Sequence, residues 1–515
     1  MSGGRVLAAG EAVWLGVDVG TQGARVLAVT ASGEVAGRGS HPLAGVRDGA
    51  RHEQDPRDWL EAVTVAARAA LRDVPAGAVG GLAVCGTSGT FVITDAAGTP
   101  RTPGLMFDDG RAGPGELAVP GVWRPGQQGL LRVPPSWPLA KLAWLRRHEP
   151  GIFRGGARLA HQADVVTAHL VGRWVPADSS HALKTGYDLV AQSWPADVFG
   201  ALGIPESVLP AVVRPGALLG HVSARAARAT AIPEGTAVFA GMTDGCASQI
   251  ASGALRPGDW NSVLGTTLVV KGVSAAPVRD AAGSVYSHRG PDGHWLPGGA
   301  SSAGAGALST AFPGADLAAL DQAAAARGLA GAIAYPLPGR GERFPLAAPR
   351  AHAFMVGQPA DQLERYAAIL QGVAYVERLA LAYMSYLGAP AAKEITFTGG
   401  GSRSRYWNQL RSDVLGLPAR VPRHPEAAFG MAVMAAYAHA ACDAGPAEGG
   451  SHGAGGTAAV SLAGVAAHMV EVRDVIEPRP GHSGPFAAQY RRLLDELERR
   501  GWLAEEVADF ARKQS

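Results

Sequence analysis

The chain has 515 residues, of which 47% are hydrophobic and 17% charged. That is enough for two large or three ordinary domains, and it excludes a disordered chain. The net charge of +2 gives no clustered basic excess, so nucleic acid and membrane surfaces are not expected partners. Cys85, Cys246 and Cys442 are too far apart for a zinc ribbon or disulfide framework. The apolar run over residues 6–17 is broken by Gly10 and Glu11, unlike a secretory signal. The most apolar long stretch, Ile369 to Leu387, contains Glu377 and Arg378 and reads as a buried-face helix. A cytoplasmic protein is therefore expected.

The first strong element is Trp14–Thr21 followed by Arg25–Thr30, two apolar β-rich runs around a short Gly/Thr turn. Asp58–Leu71 has helical spacing, and Gly81–Asp95 reads as strand, Gly-rich turn, strand. Pro138–His148 is expected to be helical. Val238–Ala240 is a short buried strand, followed by Gly241–Gly245 and a small-residue helix to about Ala254. A second hairpin pattern, Trp260–Thr267 with Leu268–Lys271, repeats the first at a separation of 245 residues, near half the chain. A duplicated two-lobed architecture accounts for it, as do two unrelated hairpins. Leu363–Leu387 is a long helix, and Glu394–Thr398 is a strand ending in Gly399-Gly-Gly401. Helices are expected at Tyr406–Leu415, Ala427–Ala441 and Pro485–Arg500, with a Gly/Ala/Ser-rich loop over Ala444–Ala467. Strands alternating with helices indicate α/β lobes.

Several residues are placed for chemistry. Asp18 ends a strand beside Gly20-Thr21-Gln22, where it could hold hydrated Mg²⁺ next to phosphate oxygens. The same pattern also suits a plain hairpin turn with a solvated Asp. Gly265-Thr266-Thr267 is the matching turn, again a phosphate grip or an ordinary tight turn. Asp244 lies between a strand and a helix start, as a helix N-cap, a general base, or both. Gly399-Gly-Gly401 could bear a flat ring and ribose on bare backbone, but it lacks the Rossmann spacing. His52, His161, His181, His288 and His294 show no metal-ligand spacing and read as surface or core residues.

Taken together and in order, these motifs resemble the FGGY family of carbohydrate kinases. Asp18-Val-Gly-Thr21 is similar to the first phosphate motif, and Ser136-x-Pro-x-x-Lys141-Leu-x-Trp144-Leu-x-Arg-His148 to a family signature. Gly241-x-x-Asp244 resembles the catalytic segment, and Leu264-Gly-Thr-Thr267 the second phosphate motif. Thr398–Gly401 with Phe429–Ala436 resembles the adenosine region. Gly86–Thr90, Leu105–Asp109, His161–Asp164, His181–Asp188, Tyr286–Arg289 and Gly341–Pro345 are similar to the xylulokinase-like branch that contains D-ribulose kinases. Gly245 departs from the Ser expected there, and Ser404 from an expected Asn.

The resemblance implies an α/β fold of two actin/Hsp70-like (ribonuclease H-like) lobes with a cleft between them. It implies a sugar-binding lobe over residues 11–255, an ATP-binding lobe over 256–480 and a C-terminal helix in 481–515. It implies ATP and Mg²⁺, with Asp18 holding the metal and Asp18, Thr21 and Asp244 catalytic. Gly20, Thr21, Gln22, Gly265, Thr266, Thr267, Gly400, Gly401 and Ser404 would contact the nucleotide. Ser88, Asp109, Asp164 and Asp244 would contact the sugar, with D-ribulose foremost and xylulose or another pentulose or polyol behind it. A nucleotide-binding sugar sensor on the same scaffold is the alternative of another class, disfavoured by the presence of a general base. The partners implied are a small sugar and ATP, without nucleic acid or membrane, and a homodimer is left open.

Overall fold

The computed structural model describes residues 7–8, 10–113, 133–444 and 460–514. The chain divides into two compact units. The first comprises residues 1–253, 288–293 and 424–471; the second comprises 254–287, 294–423 and 472–515.

The first unit is built on a six-stranded sheet in the order Leu218–His221, Ala237–Phe239, Val79–Gly86, Val13–Val19, Gly23–Thr30, Val35–Pro42. Val13–Val19 runs antiparallel to Gly23–Thr30, which is the first expected hairpin, and parallel to Val79–Gly86. Almost every side chain of Val13–Val19 is buried, so the strand reads as a continuous apolar run. That follows from cover on both faces. The helix Ala427–Asp443, carried by the later part of the sequence, packs directly on this strand. A Cβ at Gly16 would lie 1.6 Å from the Ala428 carbonyl oxygen, so only glycine permits the approach. The helix Pro56–Ala70 is capped by Asp55, whose side chain accepts from the Arg57 amide, and it lies against Val35–Pro42.

The second unit repeats the plan. Trp260–Leu264 is antiparallel to Leu268–Gly272 and parallel to Ile395–Thr398. Ala419–Pro422 continues the parallel side, and Trp295–Ser301 continues the antiparallel side. Val472–Ile476 runs antiparallel beside Ala419–Pro422 as Leu218–His221 does beside Ala237–Phe239, so six strands share spatial order and direction in the two units, and the hairpin repeat belongs to a repeated sheet plan. The long helix, Gln362–Tyr386, is buried along most of its length. Its Glu377 is fully buried and bonds Arg411 at 2.7 Å through both oxygens, with the guanidinium 3.6 Å from the Phe397 ring centroid. The helix Ser483–Arg499 is followed by a further helix, Glu505–Lys513.

One expectation is corrected. The loop expected over 444–467 falls partly on residues 445–459, outside the described residues, but its end is helical: Leu462–Met469. Ser461 caps it by accepting from the Gly464 amide, and Leu462, Ala466 and Met469 bury one face. Small-residue composition hid an apolar spacing of four and three. Among the described residues no helix is long and apolar enough to cross a membrane.

Candidate active site

Parallel pairing brings the acidic residues together. Asp18 pairs with Cys85 and Val19 with Gly86, while Gly86 forms a bridge with Thr243. Asp18 and the Thr243-Asp244 step therefore meet at one end of the sheet, at the carboxyl ends of its parallel strands. That end is the usual ligand-binding side of such sheets. Asp18 is 5% exposed, accepts from Arg25 Nη1 at 3.3 Å, and lies 3.5 Å from the Cys85 thiol. Burial, and then the charge of Asp244, push its carboxyl up to about 6. The adjoining turn is held by its carbonyls. Gln54 Nε2 donates to Thr21 O at 2.8 Å, the Leu43 amide donates to Gln22 O at 3.0 Å, and the Gly20 amide donates to Gly23 O at 3.0 Å. Gln54 is itself fixed by Trp59 Nε1 at 2.8 Å.

Asp244 is the first residue of the helix Asp244–Ala251, and the N-cap is Thr243. The N-cap reading of Asp244 is thus corrected by one position: the helix begins at Asp244, leaving its half-buried carboxylate at the helix start. Its Oδ1 accepts from the Gly245 amide at 2.7 Å. A Cβ at Gly245 would meet nothing within 4 Å, so the missing side chain leaves open space beside Asp244.

Behind Asp244 lies a buried network whose Asp178 and Ser180 sequence reading did not pick out. Thr243 donates its amide to Ser180 Oγ at 2.9 Å, and Ser180 Oγ donates to Asp178 Oδ1 at 2.7 Å. Asp178 Oδ2 is bonded to His181 Nδ1. Burial opposes a charge on His181, but Asp178, Asp164 and Asp244 outweigh it and push the imidazole up to about 9. The rings of His161 and His181 lie 5.9 Å apart. The available signal was local: Asp178-Ser-Ser-His181 is a helix-capping pattern, with Asp178 accepting from the Ser180 and His181 amides.

Ser88 is half-buried in the Gly86–Thr90 loop, and its carbonyl accepts from Lys184 Nζ at 3.3 Å. Thr87 braces the loop, with its amide and hydroxyl both 2.9 Å from Gln162 Oε1. Asp109 is fully buried and accepts from the His52 amide at 2.7 Å and from Arg111 Nε and Nη2 at 2.8 Å. Burial favours its neutral form, yet these donors hold the carboxyl below the usual range. Asp164 Oδ2 accepts from the His161 amide at 2.8 Å and is 2.7 Å from His161 Nδ1, closing a capping box on the helix Gln162–Val171.

Gly265, Thr266, Thr267, Gly400, Gly401 and Ser404 lie in the second unit. In Gly265–Thr267, the Gly265 amide donates to Thr267 O at 3.0 Å, while Gly265 O and Thr266 O accept from the Ala305 and Gly306 amides. Gly399 has φ of 81°, and a Cβ there would lie 2.6 Å from Leu264 O. The glycine turn thus packs on the strand end that leads into Gly265. A Cβ at Gly400 would meet nothing within 4 Å, whereas at Gly401 it would lie 2.6 Å from the Leu264 side chain. Ser404 caps the helix Arg405–Leu415, accepting from the Trp407 amide at 2.9 Å.

The model of the N-terminal domain of the FGGY family of carbohydrate kinases matches residues 13–251, and that of its C-terminal domain matches 260–439. The chain is 31% identical over 445 residues to a xylulose kinase of Streptomyces rubiginosus, covering 82% of this chain and 87% of the relative. A solved xylulose kinase from Rhodospirillum rubrum matches at a TM-score of 0.80 and 26% identity, over 94% of this chain and 99% of the other. A solved xyloylose kinase from Brucella ovis matches in fold at 0.84 and 23% identity, over 95% and 99%. The two-lobed actin/Hsp70-like fold, the duplicated sheets and both domain matches agree: the chain belongs to the FGGY family of carbohydrate kinases and is a phosphotransferase.

Proposed function

We propose that this kinase transfers the γ-phosphoryl group of ATP to the primary hydroxyl of a ketopentose, with D-ribulose as the preferred sugar. The observation that carries the reading is the pair of carboxylates, Asp18 and Asp244, brought to one end of the sheet by the pairing of Val13–Val19 with Val79–Gly86 and by the Gly86–Thr243 bridge. In this reading Asp244 takes the proton of the attacking hydroxyl. The sugar oxygen then bonds the γ-phosphorus as its bond to the bridging oxygen breaks, and ADP leaves. The Thr21 hydroxyl and the Gly20–Gln22 turn steady the transferring group. Gly265, Thr266, Thr267, Gly400, Gly401 and Ser404 contact the nucleotide, while Ser88, Asp109 and Asp164 contact the sugar. Residues 11–255 then carry the sugar contacts and 256–480 most of the nucleotide contacts, with 481–515 as a helical C-terminal segment, although 288–293 and 424–471 belong to the first compact unit.

Asp18 suits Mg²⁺. Its buried carboxylate lies near Asp244 with Arg25 3.3 Å away as counter-charge, and a cation would balance the second negative charge. Among the described residues no group of three or more metal-ligating side chains exists, and Mg²⁺ is typically held by one or two carboxylates with phosphates and water. When bound, it would supply charge neutralisation at the phosphate oxygens. An ATP-dependent sugar kinase of this kind works in the cytoplasm, where ATP is maintained.

D-xylulose is the second reading, favoured by the 31%-identical relative, which is a xylulose kinase. The test is ADP release with D-ribulose, L-ribulose, D-xylulose and erythritol. The highest kcat/KM is expected for D-ribulose, through hydrogen bonds that discriminate between hydroxyl configurations. A preference of roughly tenfold for D-xylulose would overturn the D-ribulose assignment and leave the kinase assignment standing.

A further inference from the structure

Lys141 is fully buried within the helix Pro138–His148, among Leu139, Leu142 and Leu145. Its Nζ donates to Met106 O at 2.7 Å and to Gly89 O at 3.1 Å, and it lies 5.7 Å from the Phe91 ring centroid. Burial pulls its ammonium down to about 7. A buried amine is expensive to desolvate, and a methionine would fill much the same volume. What methionine would not supply is the pair of hydrogen bonds, leaving two carbonyls without this donor.

Those carbonyls belong to two segments that diverge from one strand pair. Phe91 is paired with Leu105 across an antiparallel ladder. Beyond that pair, one chain continues through Gly89 and Ser88, the other through Met106 to Asp109. A second tie crosses the same gap: the Phe107 amide donates to Thr90 Oγ1 at 3.0 Å, and Thr90 Oγ1 is 2.6 Å from Thr87 Oγ1. Lys141 and Thr90 therefore continue the connection after the ladder has ended.

We propose that Lys141, with Thr90 as a second tie, is a positioning residue that fixes the spacing between the Ser88 loop and the Asp109 segment and so sets which pentulose fits. This rests on the reading that Ser88 and Asp109 meet the sugar. A side chain serving only fold stability would lower the melting temperature and leave the selectivity between sugars intact.

The experiment uses the full chain with Lys141→Met, Thr90→Val, both together, and Ser88→Ala, assayed with D-ribulose and D-xylulose at varied ATP. Lys141→Met is expected to raise KM for the better sugar about tenfold, keep KM for ATP within about twofold, and narrow the kcat/KM ratio between the sugars. Thr90→Val should act in the same direction more weakly, and the double variant should fall short of the product of the single effects. In folded Lys141→Met, a sugar KM within twofold of the native value would overturn the proposal, as would sugar and ATP KM rising together. If Lys141→Met does not fold, Thr90→Val decides on the same readings. Ser88→Ala separates the two assignments. If it leaves sugar KM unchanged, the sugar-site reading fails; if it raises KM while Lys141→Met and Thr90→Val do not, only the positioning role fails.

Discussion

Replacing Asp18 by Asn should stabilise the nucleotide-free protein while abolishing most of its turnover. The Asp18 carboxyl titrates near 3.8 in an unfolded chain and at about 6 when folded, first because it is buried and then because Asp244 is close. A raised carboxyl pKa means that the folded state prefers the proton. The favourable contribution is complete below pH 3.8 and is lost as pH rises through 6. Relative to an unshifted carboxyl, Asp18 therefore costs the fold about 3 kcal/mol at pH 8, where it is ionised, and about half of that at pH 5, where folding takes up a proton. Asparagine fills nearly the same volume with no charge, so Asp18→Asn should recover stability of that order, more at pH 8 than at pH 5. Equilibrium urea unfolding without nucleotide at the two pH values measures it, and Mg²⁺-ATP should narrow the gap by stabilising the native carboxylate. No gain at pH 8, or an equal gain at both pH values, would refute the electrostatic argument. Stabilisation with loss of turnover is the expected signature of a strained functional group.

Asp244→Asn should keep the fold and sugar binding and lose about 10²–10⁴-fold in kcat, so a loss below tenfold would remove it as general base. His181, held up at about 9 against 6.5 unfolded, contributes stability that is complete below pH 6.5 and lost as pH rises through 9. Unfolding of His181→Asn should lack this decline over pH 6.5–9, and an unchanged slope would show the imidazole to be neutral. Gly16→Ala should cost about 3 kcal/mol or more, since the new methyl would collide with the Ala428 carbonyl; a near-native melting temperature would contradict the tight helix–strand approach. Glu377→Gln should cost about 3–5 kcal/mol by stranding the buried Arg411 charge, and a change below 1 kcal/mol in urea unfolding would count against it.

Much was determined by sequence alone, because local physics marks it. Both hairpins follow from apolar runs broken by Gly-Thr turns, and the Gln362–Tyr386 helix from length without Gly/Pro interruption beyond Gly372. Asp18 and its turn were legible because the strand, the acid and the glycine are contiguous. Only tertiary structure decided what the acid meets. Asp244 reaches Asp18 because both neighbour the same strand, Val79–Gly86, whose parallel register no local pattern specifies. The buried His161–His181 pair, the Asp178–Ser180–Thr243 connection and the Lys141 tie are likewise invisible in the chain, since each joins segments distant in sequence. The helix Ala427–Asp443 is the sharpest case. Its composition reads as an apolar helix in the later half, yet it packs on Val13–Val19 in the first unit. Periodicity reports that a face is apolar; only close packing, here through Gly16, selects the surface that covers it.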